Sequence, residues 1–197
     1  MPTGGRGARE RILQTAGRLF YEHGIHATGV AARVEAAHVS TRTFYQHFES
    51  KTALVETYLR ELDADGALES EQQLEREDLS PAERLLAIFD PLEAMLRVRG
   101  AVRGCPFHNA AVEGAGAMPG AARIVQRHKQ AFSDRLVAVA REAGTAGADA
   151  LGRQLAVIYE GANALAASCD DLRVIDDARA AAAILLEVAL KRAEAER

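Results

Sequence analysis

Between Ser40 and Lys51 the chain carries side chains suited to reading a nucleic-acid groove: Ser40, Thr41, Arg42, Thr43, Tyr45, Gln46, His47 and Lys51. Arg can bond guanine bidentately, Gln can do the same with adenine, and a Thr methyl packs against thymine. Tyr45, His47 and Lys51 suit phosphate contact, which sets position more than sequence. On a helical wheel Phe44 and Phe48 fall together on the other side, so the rings anchor a short helix whose polar face stays outside. A polar face alone is common on exposed helices, and the run gains meaning only from the elements around it.

A second cluster is the segment Arg103-Gly-Cys-Pro-Phe-His-Asn-Ala-Ala-Val-Glu113. It gathers a thiol (Cys105), a ring (Phe107), an imidazole (His108), an amide (Asn109) and a carboxylate (Glu113) around one short helix. Apolar walls with a few polar anchors are the mixture a small-molecule pocket uses. Phe89 and Leu92 before the segment, and His128, Phe132, Tyr159 and Asn163 after it, extend the same set. Other roles stay open: His128 as a core histidine with a satisfied ring, Asn109 as a helix cap, Glu113 as a solvated helix residue. An enzyme would take Cys105 as nucleophile with His108 or His128 as base, but no third group stands at a recognisable spacing. The two cysteines, Cys105 and Cys169, form no CxxC or Cys/His cluster, so the expectation is two reduced thiols, no metal and no cofactor.

The elements that must position these residues read as helices throughout. A first helix is expected over 8–23, with Ile12, Leu13, Ala16, Leu19 and Phe20 in one stripe and Gly24 as a left-handed cap. Thr28 is placed to cap a second helix that ends near Ala37, with Val30, Val34 and Ala37 on one face. Ser40 caps a third over 41–48, and Ser50 a fourth bearing Leu54, Val55, Tyr58, Leu59 and Leu62. Residues 63–80 read as a frayed helix end and an acidic loop. Ser80-Pro81 restarts a helix with Leu85, Phe89, Leu92 and Leu96, kinked at Pro91. A short helix follows near 107–113, a Gly-rich loop at 114–120, and a long helix to about 143 with Val125, His128, Phe132, Leu136 and Val139 in register. Two more long helices are expected at about 148–169 and 176–194. No strand pattern and no internal repeat appears.

Charge is divided along the chain. The net charge is -4, yet residues 1–51 carry seven basic side chains against four acidic ones, leaving the remainder at -7. A basic head on an acidic body suits contact with phosphate at one end only. With 48% apolar residues the chain can build a core without staples. No run is long and apolar enough for a membrane span or a signal peptide, so a soluble cytoplasmic protein with no membrane partner is expected.

The stretches RERILQTAGRLFYEHGIHATGV and AAHVSTRTFYQHFESKTAL closely resemble the N-terminal region of the TetR family of transcriptional regulators. Leu19-Phe20, Gly24, Thr28, Val30, Ala37, Val39-Ser40, Thr43-Phe44-Tyr45, His47-Phe48 and Ser50-Lys51 carry the resemblance. It implies an all-α protein: a three-helix helix-turn-helix domain at 1–51 and a larger helical ligand-binding and dimerisation domain at 52–197. It further implies a homodimer that binds a near-palindromic duplex operator, by preference as a repressor, and is released by a small-molecule effector of unknown identity. The alternative is a DNA-binding dimer that takes no ligand. Ser40, Thr41, Arg42, Thr43, Tyr45, Gln46, His47 and Lys51 become the DNA contacts, and Thr28 and Gly29 contact phosphate through backbone N–H groups. The chain departs from the family pattern at His38, where the turn prefers Gly and often needs positive φ. It departs again at Arg33, a position the family usually buries, which is read as snorkelling or as a phosphate contact. Apolar residues on more than one side of the last two helices point to self-association through Leu151, Leu155, Ile158, Ala162, Leu165, Ile184, Leu185 and Val188.

Overall fold

The first helix, α1 (Gly4–His23), buries Ile12, Leu13, Ala16, Leu19 and Phe20 along the expected stripe. In the computed structural model, which describes residues 4–29, 34–64, 68–99, 104–169 and 171–196, every regular element among the described residues is helical. Gly24 stops α1 at φ 89°, with its N–H on the Phe20 carbonyl at 3.0 Å, the left-handed closure that a residue without Cβ makes most easily.

The second helix, α2, is described at residues 34–36; Val30 and Arg33, and with them both readings of Arg33, lie outside the described residues. Its end is a Schellman closure. Val39 N–H bonds to the Val34 carbonyl at 3.1 Å and His38 N–H to Glu35 at 3.0 Å. His38 sits at φ 51°, the one non-glycine residue with positive φ among those described. The turn therefore has the backbone expected of glycine, with a histidine in it.

Next come α3 (Thr41–His47) and α4 (Lys51–Ala64), the latter begun by Ser50 Oγ accepting from Ala53 N–H at 3.1 Å. The stretch expected as an acidic loop contains a further short helix, α5 (Glu69–Gln72), and a 3-10 turn at Gln73–Glu75. Ser70, Glu71 and Leu74 are all buried there. Acidic composition hid this element, because one of its acids is turned inward.

A capping box starts α6 (Pro81–Ala87): Ser80 Oγ accepts from Glu83 N–H, and Glu83 Oε2 accepts from Ser80 N–H at 2.8 Å. Pro91 does more than kink the pattern. The helix stops at Ala87 and α7 (Asp90–Arg99) begins anew, with Pro91 in its first turn, where a missing N–H costs little. The remaining helices are α8 (Pro106–Glu113), α9 (Pro119–Glu142), α10 (Ala148–Cys169) and α11 (Arg173–Ala195).

Contacts divide the chain into one unit of Met1–Asp65 with Pro106–Gln126 and another of Gly66–Cys105 with Arg127–Arg197. This division by contacts does not follow the boundary expected at 51/52. The first unit keeps α4 and gains α8, because both supply side chains that the first three helices need. Its core packs Phe20 edge-on to Tyr58 at 5.6 Å, and Phe44 beside Phe48.

In the second unit Leu85, Phe89, Phe132, Leu136, Leu155 and Tyr159 form one buried cluster. Each such side chain contributes about 1.5–3 kcal/mol through burial. Gly152 lets α10 approach α9: a Cβ there would lie 2.6 Å from the Val137 backbone, a contact no side-chain adjustment relieves.

The outward faces of α10 and α11 correct the interface expectation. Leu151, Leu155 and Ala162 belong to the chain's own core, with Leu155 wholly buried. They mark the side of α10 that packs within the unit. Val157 (73% exposed), Leu165, Ile184 (63%) and Val188 face outward instead. Ile158 and Leu185, half-buried, join Ala150, Arg153, Gln154 and Val157 in lining a groove of about 490 Å³.

Candidate functional site

The short helix α3 is held by both its ends and its apolar side. Ser40, extended at φ -82° and ψ 155°, accepts the Thr43 N–H at 3.0 Å, and the two hydroxyls lie 2.8 Å apart. Such a cap contributes about 1 kcal/mol, considerable for seven residues. Phe44 is fully buried and Phe48 nearly so, and the Arg9 guanidinium lies 5.8 Å from the centre of the Phe48 ring.

With the rings fixed inward, Thr41, Arg42, Tyr45 and Gln46 are exposed, while Thr43 and His47 are half-buried. Tyr45 stands edge-on to Phe44 at 5.2 Å, which orients its phenol without covering it. This leaves a planar guanidinium and an amide pointing outward from a rigid base, the two side-chain types that read guanine and adenine edges. The Arg11 Nε reaches the Ala37 carbonyl at the end of α2 (3.4 Å), tying the first helix to the helix-turn-helix.

Two other sequence-predicted contacts, Thr28 and Lys51, have partners within the unit. The Thr28 hydroxyl is buried and donates to the Gly24 carbonyl at 2.7 Å and to Leu19 at 3.3 Å. Gly29 beside it is exposed. The Lys51 ammonium donates to the His26 carbonyl at 3.2 Å. Glu113, grouped with the pocket residues by sequence, lies instead at this same turn: its Oε2 accepts the His26 N–H at 2.8 Å. The reason is topological, since α8 folds with the first unit.

The predicted pocket set is accordingly divided. Phe107 (buried), His108 (exposed), Asn109 and Glu113 belong to the first unit, and Cys105, Phe89, Leu92, His128, Phe132, Tyr159 and Asn163 to the second. In the second unit the Tyr159 ring lies 6.0 Å from Phe89 and 5.1 Å from Phe132. Burial pushes the Tyr159 hydroxyl far above its usual range, with a Ser70 hydrogen bond acting in the opposite direction. His128 Nε2 lies 3.1 Å from Glu71 Oε1, and Arg135 donates to Glu71 Oε2 at 3.0 Å and to the Glu71 carbonyl at 2.7 Å. The buried Asn163 Oδ1 has no hydrogen-bond partner among the described residues.

Sequence reasoning missed Glu71, Ser70 and Arg135, and also the ammonium beside Cys105. Lys129 Nζ lies 3.2 Å from Cys105 Sγ and 2.5 Å from Glu160 Oε1. Burial, the largest influence, works to lower the Lys129 ammonium, yet the neighbouring Cys105 sulfur and Glu160 carboxylate hold it above its usual range. The one available signal was His128 on an apolar stripe, which demanded a polar partner somewhere in the chain. Among the described residues no group of His, Cys, Asp and Glu is arranged to hold a metal, and no helix is long and apolar enough to cross a membrane.

Comparisons with known proteins agree with this geometry. Residues 12–58 match the family model for bacterial regulatory proteins of the tetR family. Residues 81–182, more than half of the chain, match the tetracyclin repressor-like C-terminal domain. The HTH-type transcriptional repressor KstR2 of Mycolicibacterium smegmatis is 33% identical over 81 residues, 41% of this chain and 39% of that protein. UidR of Escherichia coli, an HTH-type transcriptional regulator, is 36% identical over 59 residues, 30% of each. The chain therefore spans well under half the length of these curated relatives. SCO4454 of Streptomyces coelicolor, a TetR-family regulator of solved structure, superposes with a TM-score of 0.81 at 28% identity, over 94% of this chain and 97% of that one. With both of its regions matched and the whole helical plan shared, this chain belongs to the TetR family of bacterial transcriptional regulators.

Proposed function

We propose that the protein is a homodimeric repressor that binds a near-palindromic duplex operator and is released from it by a small molecule. The observation that carries this reading is α3: Phe44 and Phe48 anchor it, Ser40 caps it, and Arg42, Tyr45 and Gln46 project outward. Arg42 and Gln46, with the Thr43 methyl, read bases, while Ser40, Thr41, Tyr45, His47 and Lys51 and the backbone at Thr28 and Gly29 set position on phosphate. Repression is carried over from KstR2, an HTH-type transcriptional repressor.

Pairing uses the outward face of α10 and α11, where Val157, Leu165, Ile184 and Val188 are exposed together. It sets the two α3 helices about 34–36 Å apart, so that each enters one of two successive major grooves. Val157→Arg should then convert the dimer to monomers in sedimentation, with operator affinity falling steeply. An unchanged dimer would move the interface elsewhere.

The effector is received in the second unit, where Tyr159, Phe89 and Phe132 supply apolar wall and Asn163 Oδ1 accepts a hydrogen bond. Release requires the effector to bind the two conformations unequally. Selection of bound fragments from a random duplex pool tests the DNA reading: one enriched two-fold motif is expected, and no enrichment overturns it. Compounds that raise the melting temperature are then titrated against that fragment, and an operator affinity unchanged at saturation by all of them would favour a dimer without ligand.

A further inference from the structure

The turn that joins α1 to the second helix is grasped by a residue 87 positions further along the chain. Glu113 is the last residue of α8, a helix seated by the buried Phe107 and Ala110. Its carboxylate accepts the His26 N–H at 2.8 Å, and its own carbonyl meets the His26 ring Nε2. The same carboxylate lies over Gly24, where a Cβ would come within 3.1 Å of both oxygens. From the other side the Lys51 ammonium takes the His26 carbonyl, and the Thr28 hydroxyl takes the Gly24 carbonyl. Both backbone hydrogen-bonding groups of His26 are thus held by side chains from other helices, α8 and α4. The buried Thr28 and the exposed Gly29 follow directly.

We propose that Glu113 is a positioning residue for DNA binding: through His26 it fixes the turn that presents the Thr28–Gly29 backbone to phosphate. The proposal rests on the DNA-binding reading above. A carboxylate near a phosphate contact repels DNA, so a purely electrostatic role predicts that its removal strengthens binding. Positioning predicts the reverse.

The test uses the full chain and the duplex fragment that the wild type selects from a random pool, with a scrambled duplex as control. Glu113→Ala should weaken binding to the selected fragment about five- to tenfold at a temperature well below melting, and change scrambled-duplex binding little. Glu113→Gln, whose amide oxygen still accepts from His26 N–H, should restore most of that loss. Hydrogen exchange at the His26 amide of the wild type should be slow. If both variants bind both duplexes more tightly, Glu113 acts by charge alone and the proposal falls. A rapidly exchanging His26 amide overturns it without recourse to any variant. A wild type that selects no fragment overturns the DNA-binding reading and this proposal together, whereas normal selection with unaffected variants overturns this proposal alone.

Discussion

The two units use polar side chains in opposite ways. In the first, the apolar residues of α3 turn in, and its Arg, Gln and Tyr turn out to water. In the second, charge is carried inward: Glu71 is buried with His128 and Arg135 around it, and Lys129 stands between Cys105 and Glu160. An outward polar face is stable without partners and is available to a ligand. An inward one has to be satisfied by the fold itself, and this ties α5 to α9. The first unit thus keeps the polar groups of α3 at the surface, and the second turns several of its own into the interior.

The sharpest way to break this contrast is to remove the buried carboxylate. Glu71→Ala leaves the Arg135 guanidinium and the buried His128 ring without their shared partner, and costs about 3 kcal/mol or more in urea unfolding. The same truncation at exposed Glu49 should fall within about 0.5 kcal/mol. Equal effects at the two sites would show that Glu71 is not part of a satisfied interior. Such a loss is a large fraction of a domain's stability, so Glu71→Ala is best examined at low temperature.

On the reading side the expected effect lies in affinity and not in folding. Arg42→Ala should cost about 1–3 kcal/mol on the selected fragment and far less on scrambled duplex, with the melting temperature unchanged. Equal losses on both duplexes would make Arg42 a phosphate contact. A drop in melting temperature would mean that its exposed side chain supports the fold, and would blur the contrast between units.

The interior of the body also predicts a pH dependence. The Tyr159 hydroxyl is held above its ordinary value of 10.0 by burial, so the folded chain keeps this proton after the unfolded chain has lost it. Stability is therefore whole below pH 10 and falls as pH rises beyond it, with a limiting slope near ~1.4 kcal/mol per pH unit for one proton. Tyr159→Phe should flatten that decline between pH 10 and 11. A decline of undiminished slope would assign it to other groups.

The same contrast explains what could be read from sequence. The head was legible because each of its signals is local: the stripe on α1, Gly24, the cap at Ser40, and the rings at Phe44 and Phe48 four residues apart. The extents of α8, α9 and α10 followed equally well from glycine, proline and helical spacing. What stayed hidden was set by long-range pairing. Glu113 meets His26 and Arg135 meets Glu71 across 87 and 64 positions, and no local pattern states which carboxylate will turn inward. The outward face of α10 was only partly anticipated, at Leu165, for a related reason. With apolar residues on several sides, spacing alone could not decide whether Leu155 or Val157 served the chain's own core.

The smallest expected effect concerns the turn, where the head departs from its own economy. His38 closes α2 at φ 51°, a conformation that costs a Cβ-bearing residue about 1 kcal/mol relative to glycine. Glycine would lose more freedom on folding, which offsets part of that gain. His38→Gly should therefore stabilise the chain by only about 0.5 kcal/mol, measured by urea unfolding, while leaving the Schellman bonds at Val39 and His38 intact. Binding to the selected fragment should be unchanged, because neither Arg42 nor Gln46 moves. If the glycine variant binds the fragment measurably more weakly, His38 is more than a strained substitute for glycine: its exposed imidazole takes part in holding DNA, and the reading surface extends into the turn.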